Sequence, residues 1–355
     1  MKNNIKIISV VGTRPNLVKE SMLFKEFSEN GIDEILVHTG QHYDYEMSQT
    51  FFDDFNIKEP DYFLNISGKS PITFLSESTK GLEEVVLKES PHAIMSYGDV
   101  LSTTSAALVS SLLKIPFFHI EGGIRSDKLY NPEEINRRIA DHLAKLIFCC
   151  TKNDLKNLEK ENFSPERFLL SGDLMYDALR RQIQKNNITP TKGNYNVVTL
   201  HRQENVENKE RLTIIIDAII NSEKYFQFPV HPRTKNSLIK FDLWNHLLDC
   251  KKIELLDPMN YSNFINLVSK CDKVVTDSGG LRREAYLLGK PCIVPIDIVW
   301  FQDLVDSGWM VIIDNDKEKL IDHILNYEVS GERENYFGDG EAYKVIVSAI
   351  LSWFN

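Results

Sequence analysis

The sequence predicts an α/β protein with two Rossmann-like domains facing a central cleft. Three observations carry that reading: the length, two successive series of short apolar runs, and a break between them. At 355 residues the chain exceeds what one compact core usually supports, so two domains are expected. Short runs rich in β-branched residues alternate with longer amphipathic segments, which is the βαβ rhythm. IKIISVV, EILVHTG, AIMSYGD, PFFHIEGG, LIFCCT and RFLLSGD form the first series. NVVTLH, FQFPVH, KIELLDP, DKVVTDSGG, KPCIVPI and WMVIID form the second. Between them a polar, helix-prone stretch ends in NNITPTKGNYN, where Pro190 and Gly193 break regular structure. The expected division is 1–178 for the first domain, 179–338 for the second and 339–355 for a C-terminal helix crossing back to the first.

Composition narrows the function classes. A formal charge of −10 argues against an extended nucleic-acid surface, because neutralising phosphates needs clustered Lys and Arg. No apolar run approaches the length of about 18 residues that a membrane helix needs, and Met1 to Val11 lacks a signal-peptide layout. A cytosolic protein is expected. The five cysteines, Cys149, Cys150, Cys250, Cys271 and Cys292, are odd in number and show no zinc spacing, so reduced structural thiols are expected.

Taken in order, the strand ends carry the candidate chemistry, since open α/β sheets hold ligands there. VVGTRPNLVKE closes the first strand, with Gly12 for a tight turn, Pro15 for a first helical turn, and Arg14 and Lys19 as cations beside a helix start. It is an anion cradle or a turn with solvated charges; it is neither GxxxxGK[ST] nor GxGxxG. Asp99 follows a strand and a glycine, as a reactive carboxylate or as the cap of the next helix. Glu121, between PFFHI and two glycines, is an unusual carboxylate for a buried strand. Glu133 and Glu134 follow Pro132 at a helix start, where at least one simply complements the helix dipole. Arg137, one turn on, pairs with Glu133 or reaches a phosphate. His201 and His231 each end a strand beside an arginine and suit phosphate or proton-transfer work. Ser278, Gly279 and Gly280 offer backbone amides to a pyrophosphate at a helix N-terminus, with Glu284 one turn beyond for ribose hydroxyls, unless this is a plain turn. His119, Glu121, Asp141 and His142 lack paired-ligand spacing, so no metal is expected, and the absence of GxSxG argues against a serine hydrolase.

Read in sequence, VVGTRPN, HTGQHYDYEMS, GDV with its Ser/Thr run, HIEGGIRS, PEEINRRIADHL, SGD with Asp177, LHRQEN, PVHP, TDSGG with Glu284 and FGDG resemble the non-hydrolysing UDP-N-acetylglucosamine 2-epimerases over most of the chain. The resemblance implies a GT-B-type arrangement, usually dimeric, with UDP held mainly by the second domain. It also implies a UDP-sugar 2-epimerase that eliminates and re-adds UDP without nicotinamide, any other cofactor or a metal, and that serves surface polysaccharide biosynthesis. Asp99, Glu121, Glu133 and His201 match the catalytic set, and Arg137 a nearby functional arginine. Arg14, Lys19, Ser278, Gly279, Gly280 and Glu284 match substrate-binding positions, Phe264 an aromatic beside the uracil, and His231 a nucleotide-proximal histidine. The family's usual alanine is Gly122 here. Its RxxTERPE loop is replaced by IDIVWFQD, Ile296 to Asp303, which points to a different sugar or weakened catalysis; some branches acting on diacetamido or uronic-acid sugars also carry a Trp in this loop. An allosteric contact run is present as Gly40, Gln41 and His42, but Asp44 departs from the pattern, which speaks against allostery. A GT-B glycosyltransferase and a catalytically silent UDP-sugar-binding protein are the competing readings.

Overall fold

A computed structural model describes residues 5–41, 58–329 and 331–355. The chain forms two compact units, Met1–Arg181 with Asn335–Asn355, and Gln182–Glu334.

The first unit is built on a seven-stranded sheet: β1 (Ile5–Val11), β2 (Ile32–His38), β3 (Tyr62–Phe63), β4 (Ala93–Tyr97), β5 (Phe117–Gly122), β6 (Leu146–Cys149) and β7 (Phe168–Leu170). Their order in the sheet is β3-β2-β1-β4-β5-β6-β7, and every pairing is parallel. The strands read as near-continuous apolar runs because helices cover both faces. One core joins Ile8, Val10, Val37 and Ile94 to Leu82 and Val86 of the helix Pro71–Glu89 and to Ala106 and Val109 of the helix Leu101–Leu112.

The second unit has six strands: β8 (Asn196–Thr199), β9 (Phe226–Pro229), β10 (Ile253–Leu256), β11 (Val274–Thr276), β12 (Cys292–Val294) and β13 (Met310–Ile312). Their order is β10-β9-β8-β11-β12-β13, again parallel throughout. Its core brings Val198, Phe228, Val275 and Ile293 against Leu212, Ile216 and Ile219 of the helix Lys209–Asn221. Both sheets are doubly wound, so the chain belongs to the α/β class with two Rossmann-like units. All but one of the strands were legible as apolar runs. The exception is β3, whose two residues are too short to show any period.

The last helix, Ala342–Phe354, packs in the first unit against the helix Arg14–Glu29 and buries Ile346, Val347 and Ile350. Its first turn is held by Asp177, which accepts hydrogen bonds from the amides of Ala342 (3.2 Å) and Tyr343 (2.9 Å). Burial pushes the Asp177 carboxyl up to about 6. Among the described residues, no helix is long and apolar enough to cross a membrane.

Candidate active site

In each sheet the strand order reverses at one place, between β1 and β4 in the first unit and between β8 and β11 in the second. Crevices for ligands open at the carboxyl ends of strands at such switch points. The candidate residues gather at both.

In the first unit, β1 runs into Gly12 and Thr13 before the helix Arg14–Glu29. The Asn16 side chain closes this turn, accepting from the amides of Gly12 and Thr13 (3.2 Å each) and donating to the Tyr97 carbonyl at the end of β4 (2.9 Å). Gly12 is needed for close approach: a Cβ there would stand 2.0 Å from Ser102 Oγ. Arg14 is half-buried at the first helical position, whereas Lys19 is 3 % exposed and its ammonium ion-pairs with Glu121. Lys19 is therefore committed to a carboxylate 102 positions away, which nothing in its local sequence signalled.

Asp99 follows Gly98, whose φ of 68° lies in the left-handed region that glycine tolerates. It is not the cap of the next helix. Val100 occupies that position without a side-chain bond, and Gln41 Oε1 accepts instead from the Ser102 amide at 3.1 Å. The Asp99 carboxylate pairs with Nη2 of Arg137, and the same nitrogen lies 3.9 Å from Glu121 Oε1. Arg137 thus spans two carboxylates from different strand ends. Its burial disfavours the guanidinium charge, but Asp99 and Glu121 outweigh that and raise its pKa. Glu121 itself has φ 67° at a register shift between β5 and β6. A non-glycine residue there costs roughly 1–2 kcal/mol, and such strain clusters at functional positions.

Pro132, Glu133 and Glu134 open the helix Pro132–Leu143, capped by Asn131. Glu133 is half-buried in its first turn. Glu134 is buried and structural, accepting from the Ser126 amide (2.9 Å) and from Arg138 Nε (2.6 Å). Asn136 of the same helix donates to the Asp99 carbonyl (2.9 Å). His119 pairs with Asp141, while exposed His142 contacts the Arg138 carbonyl. Potential ligand atoms of Glu121, Cys150 and Asp173 do lie within 4.8 Å of one another. The Lys19 ammonium already sits on that glutamate, and Asp173 accepts from the Met175 amide (2.8 Å). Gly40 and Gln41 are described, but His42 and Asp44 lie outside the described residues.

In the second unit, β11 leads into Asp277 and the helix Gly279–Leu287, which Ser278 caps by accepting from the Leu281 amide. Asp277, fully buried, accepts from the amides of His201 (3.1 Å) and Arg202 (3.2 Å) and from Asn205 Nδ2 (3.1 Å). It binds the β8 turn to the glycine turn. The His201 ring lies with Nδ1 3.3 Å from Asp277 Oδ1, and its centroid is 6.2 Å from that of His231. Burial lowers the His201 pKa, and Arg202, Arg233 and Arg282 push the same way against Asp277. His231 is exposed and caps the helix Pro232–Lys240 by accepting from the Arg233 amide (3.2 Å). Glu284 is buried and receives a hydrogen bond from the Tyr261 hydroxyl (2.7 Å); Phe264 is half-buried on the same helix as that tyrosine, Tyr261–Ser269.

Asp277, the placement of Trp300 and the role of Arg282 were not singled out in the sequence. Asp277 was hidden inside TDSGG, although a carboxylate closing an apolar strand is the same signal that marked Glu121. The altered loop places Trp300 over the glycine turn: a Cβ on Gly279 would stand 2.9 Å from Trp300 Cζ3. Arg202 stacks on the indole at 4.2 Å and fully buried Arg282 lies 5.5 Å from it. Arg282 donates to the Ile298 carbonyl (2.8 Å), so it braces the loop, and burial lowers it to about 10. Both guanidiniums add positive charge beside a helix N-terminus, where anions are favoured.

Residues 25–351 match the family model of UDP-N-acetylglucosamine 2-epimerase. A protein of Methanococcus maripaludis described as a UDP-N-acetylglucosamine 2-epimerase homolog is 38 % identical, over 98 % of this chain and 99 % of that one. The UDP-2,3-diacetamido-2,3-dideoxy-D-glucuronate 2-epimerase of Pseudomonas aeruginosa is 34 % identical, covering 90 % and 91 %. Among solved structures, the UDP-GlcNAc 2-epimerase of Methanocaldococcus jannaschii in complex with UDP-GlcNAc and UDP superposes with a TM-score of 0.90 at 33 % identity, covering 98 % of this chain and 100 % of that one. With a family match across nearly its whole length and both switch points furnished as described, the chain belongs to the UDP-N-acetylglucosamine 2-epimerase family.

Proposed function

We propose that this enzyme interconverts UDP-N-acetylglucosamine and UDP-N-acetylmannosamine, or a related UDP-2-acetamido pair, by eliminating and re-adding UDP. The observation that carries the reading is the bracketing of Asp99 and Glu121 by Arg137, with Lys19 on Glu121. The C2 proton is not acidified by a neighbouring carbonyl, so simple enolisation is closed. In the elimination a base removes that proton, the C1–O bond breaks with its electron pair leaving on UDP, and a C1=C2 bond forms. Re-addition returns a proton to the opposite face of C2 while UDP oxygen re-forms the bond to C1. Asp99, Glu121 and Glu133 supply acid–base groups and negative charge for the oxocarbenium character at C1. General acid–base groups of this kind each contribute roughly 100- to 10,000-fold. His201, Arg14 and the amides of Ser278, Gly279 and Gly280 stabilise the departing pyrophosphate, an interaction that strengthens as the charge appears. Phe264 and His231 bear on the nucleoside and Glu284 on its ribose.

A diacetamido or uronic-acid sugar is the second reading. Trp300 on the glycine turn, flanked by Arg202 and Arg282, is a surrounding suited to a more anionic substrate. We further propose a cytosolic homodimer serving surface polysaccharide synthesis. The exposed apolar side chains of Ile72, Leu112, Leu129 and Tyr130 in the first unit support the dimer, and light scattering on a sizing column tests it.

The test is incubation in heavy water with UDP-N-acetylglucosamine and, separately, with a UDP-2,3-diacetamido uronate. Deuterium at C2 of both epimers is expected with at least one of them. Transfer to an acceptor without C2 exchange would make the protein a glycosyltransferase, UDP binding without turnover a silent sensor, and accumulation of UDP with free sugar a hydrolysing enzyme.

A further inference from the structure

His119 and Asp141 have no part in the chemistry above, yet both are fully buried beside it. His119 Nε2 lies 2.8 Å from the Gly98 carbonyl oxygen, and Nδ1 lies 2.6 Å from Asp141 Oδ1. A carbonyl only accepts, so Nε2 carries a hydrogen. Asp141 Oδ2 receives the Gly123 amide (3.1 Å) and Arg125 Nη1 (2.7 Å), so both carboxylate oxygens are engaged.

These bonds end on the residues flanking the two candidate carboxylates. Gly98, next to Asp99, gives its amide to the Ile120 carbonyl (2.8 Å) and takes His119 on its own carbonyl. Glu121 lies between His119 and Gly123, and both are tied to Asp141. Gly98, Glu121 and Gly123 all hold positive φ, at 68°, 67° and 82°. The glycine at 122 fits the same device, since a Cβ there would stand 2.4 Å from Asp141 Oδ1 and 3.0 Å from His119 Nδ1.

We infer that the buried His119–Asp141 pair is a positioning device that fixes Asp99 and Glu121 relative to each other, one through the Gly98 carbonyl and the other through the strained turn at Glu121. The inference rests on the proposed roles of those two carboxylates. Proton removal from one face of C2 and return to the other depend differently on each carboxylate, so disturbing their spacing alters the balance between the two steps. A loss of folded protein cannot do that.

The test uses the full chain with His119→Gln and His119→Asn, which each keep a polar group for one of the two contacts. C2 deuterium incorporation into recovered substrate, epimer formation and UDP affinity are measured on the same samples, with rates expressed per UDP-binding site. Displacement of a reacting group by about 1 Å costs on the order of 100-fold. Both variants are expected to lose kcat on that scale, to keep KM and UDP affinity within about threefold, and to change the ratio of exchange to epimerisation. Rates per site within about threefold of wild type overturn the inference, as does a fall of both rates in constant ratio together with UDP binding. Absence of C2 exchange in the wild-type protein instead sinks the epimerase reading itself.

Discussion

Two buried carboxylates of the first unit sit in opposite electrostatic circumstances. Burial alone would raise Asp141, but His119 and Arg125 reverse this and hold it at about 2. Glu20 is equally buried, and burial first and the charge of Glu34 second raise it well above the ordinary carboxylate value. The signs of their pH dependence follow by linkage. A depressed carboxylate contributes stability above its unfolded pKa and loses it as the pH falls through its folded value. A raised one favours folding at low pH, and that advantage is lost as the pH rises. Asp141→Asn is therefore expected to cost about 3–5 kcal/mol at neutral pH, the scale of a broken buried pair, with the loss shrinking as the pH falls from about 4 towards 2. Glu20→Gln is expected to stabilise the protein at about pH 8, with the gain vanishing near pH 4, because it removes an acid that must stay protonated or ionise in the core. Urea titrations across this range read both, and a Glu20→Gln variant less stable than wild type at pH 8 would overturn the assignment. The same contrast explains how much of the site was legible. Asp99 and Glu121 announced themselves because a carboxylate closing an apolar run breaks the pattern of its own segment. Lys19 on Glu121 and Arg137 on Asp99 did not, because these contacts join strand ends far apart in sequence and local spacing carries no trace of them.

Helix N-termini organise the second switch point, and there the element decides what a residue can do. Ser278 starts the helix Gly279–Leu287, Asp277 ties that start to the end of β8, and Trp300 lies over Gly279. Gly279→Ala would bring a methyl within 2.9 Å of the indole. Overpacking of that kind costs about 1–3 kcal/mol, so UDP binding is expected to weaken roughly tenfold or more. Trp300→Ala in the same chain removes the collision, and the double variant is expected to recover most of the loss. Calorimetric titration with UDP reads the cycle; equal cost of Gly279→Ala in both backgrounds would show that the indole does not bear on the turn. Asp277 governs the other side. Its charge favours protonation of His201, so Asp277→Asn is expected to move the alkaline limb of the kcat profile to lower pH, as well as to slow the reaction by freeing the β8 turn; a limb shifted to higher pH contradicts the pairing. The strands of both sheets, β3 apart, were readable because burial on two faces demands unbroken apolar runs. The cap at Val100 was not readable, since the amide behind it is served by Gln41 from a distant loop.

At the scale of the whole molecule, the same winding occurs twice with separate cores, and residues 335–355 belong to the first unit although they follow the second in sequence. Such a chain need not melt in one step. Ile350 is fully buried in the last helix, and Ile350→Asp places a charge in that buried position, so it is expected to lower the melting of the first unit. UDP acts in the other direction, because under the proposed assignment it binds the second unit. At a concentration about 100 times its Kd a ligand adds about 2.7 kcal/mol to the state that binds it. Hydrogen exchange followed by mass spectrometry on heating separates the two. UDP is expected to delay opening of peptides covering β8, β11 and the helix Gly279–Leu287, and to do so even in the Ile350→Asp variant, whose β1, β4 and β5 peptides open early. Protection by UDP that appears first in β4 and β5 would move the nucleotide to the first unit and overturn the division of labour. Early opening of both units together in Ile350→Asp would mean that the two cores unfold as one cooperative body.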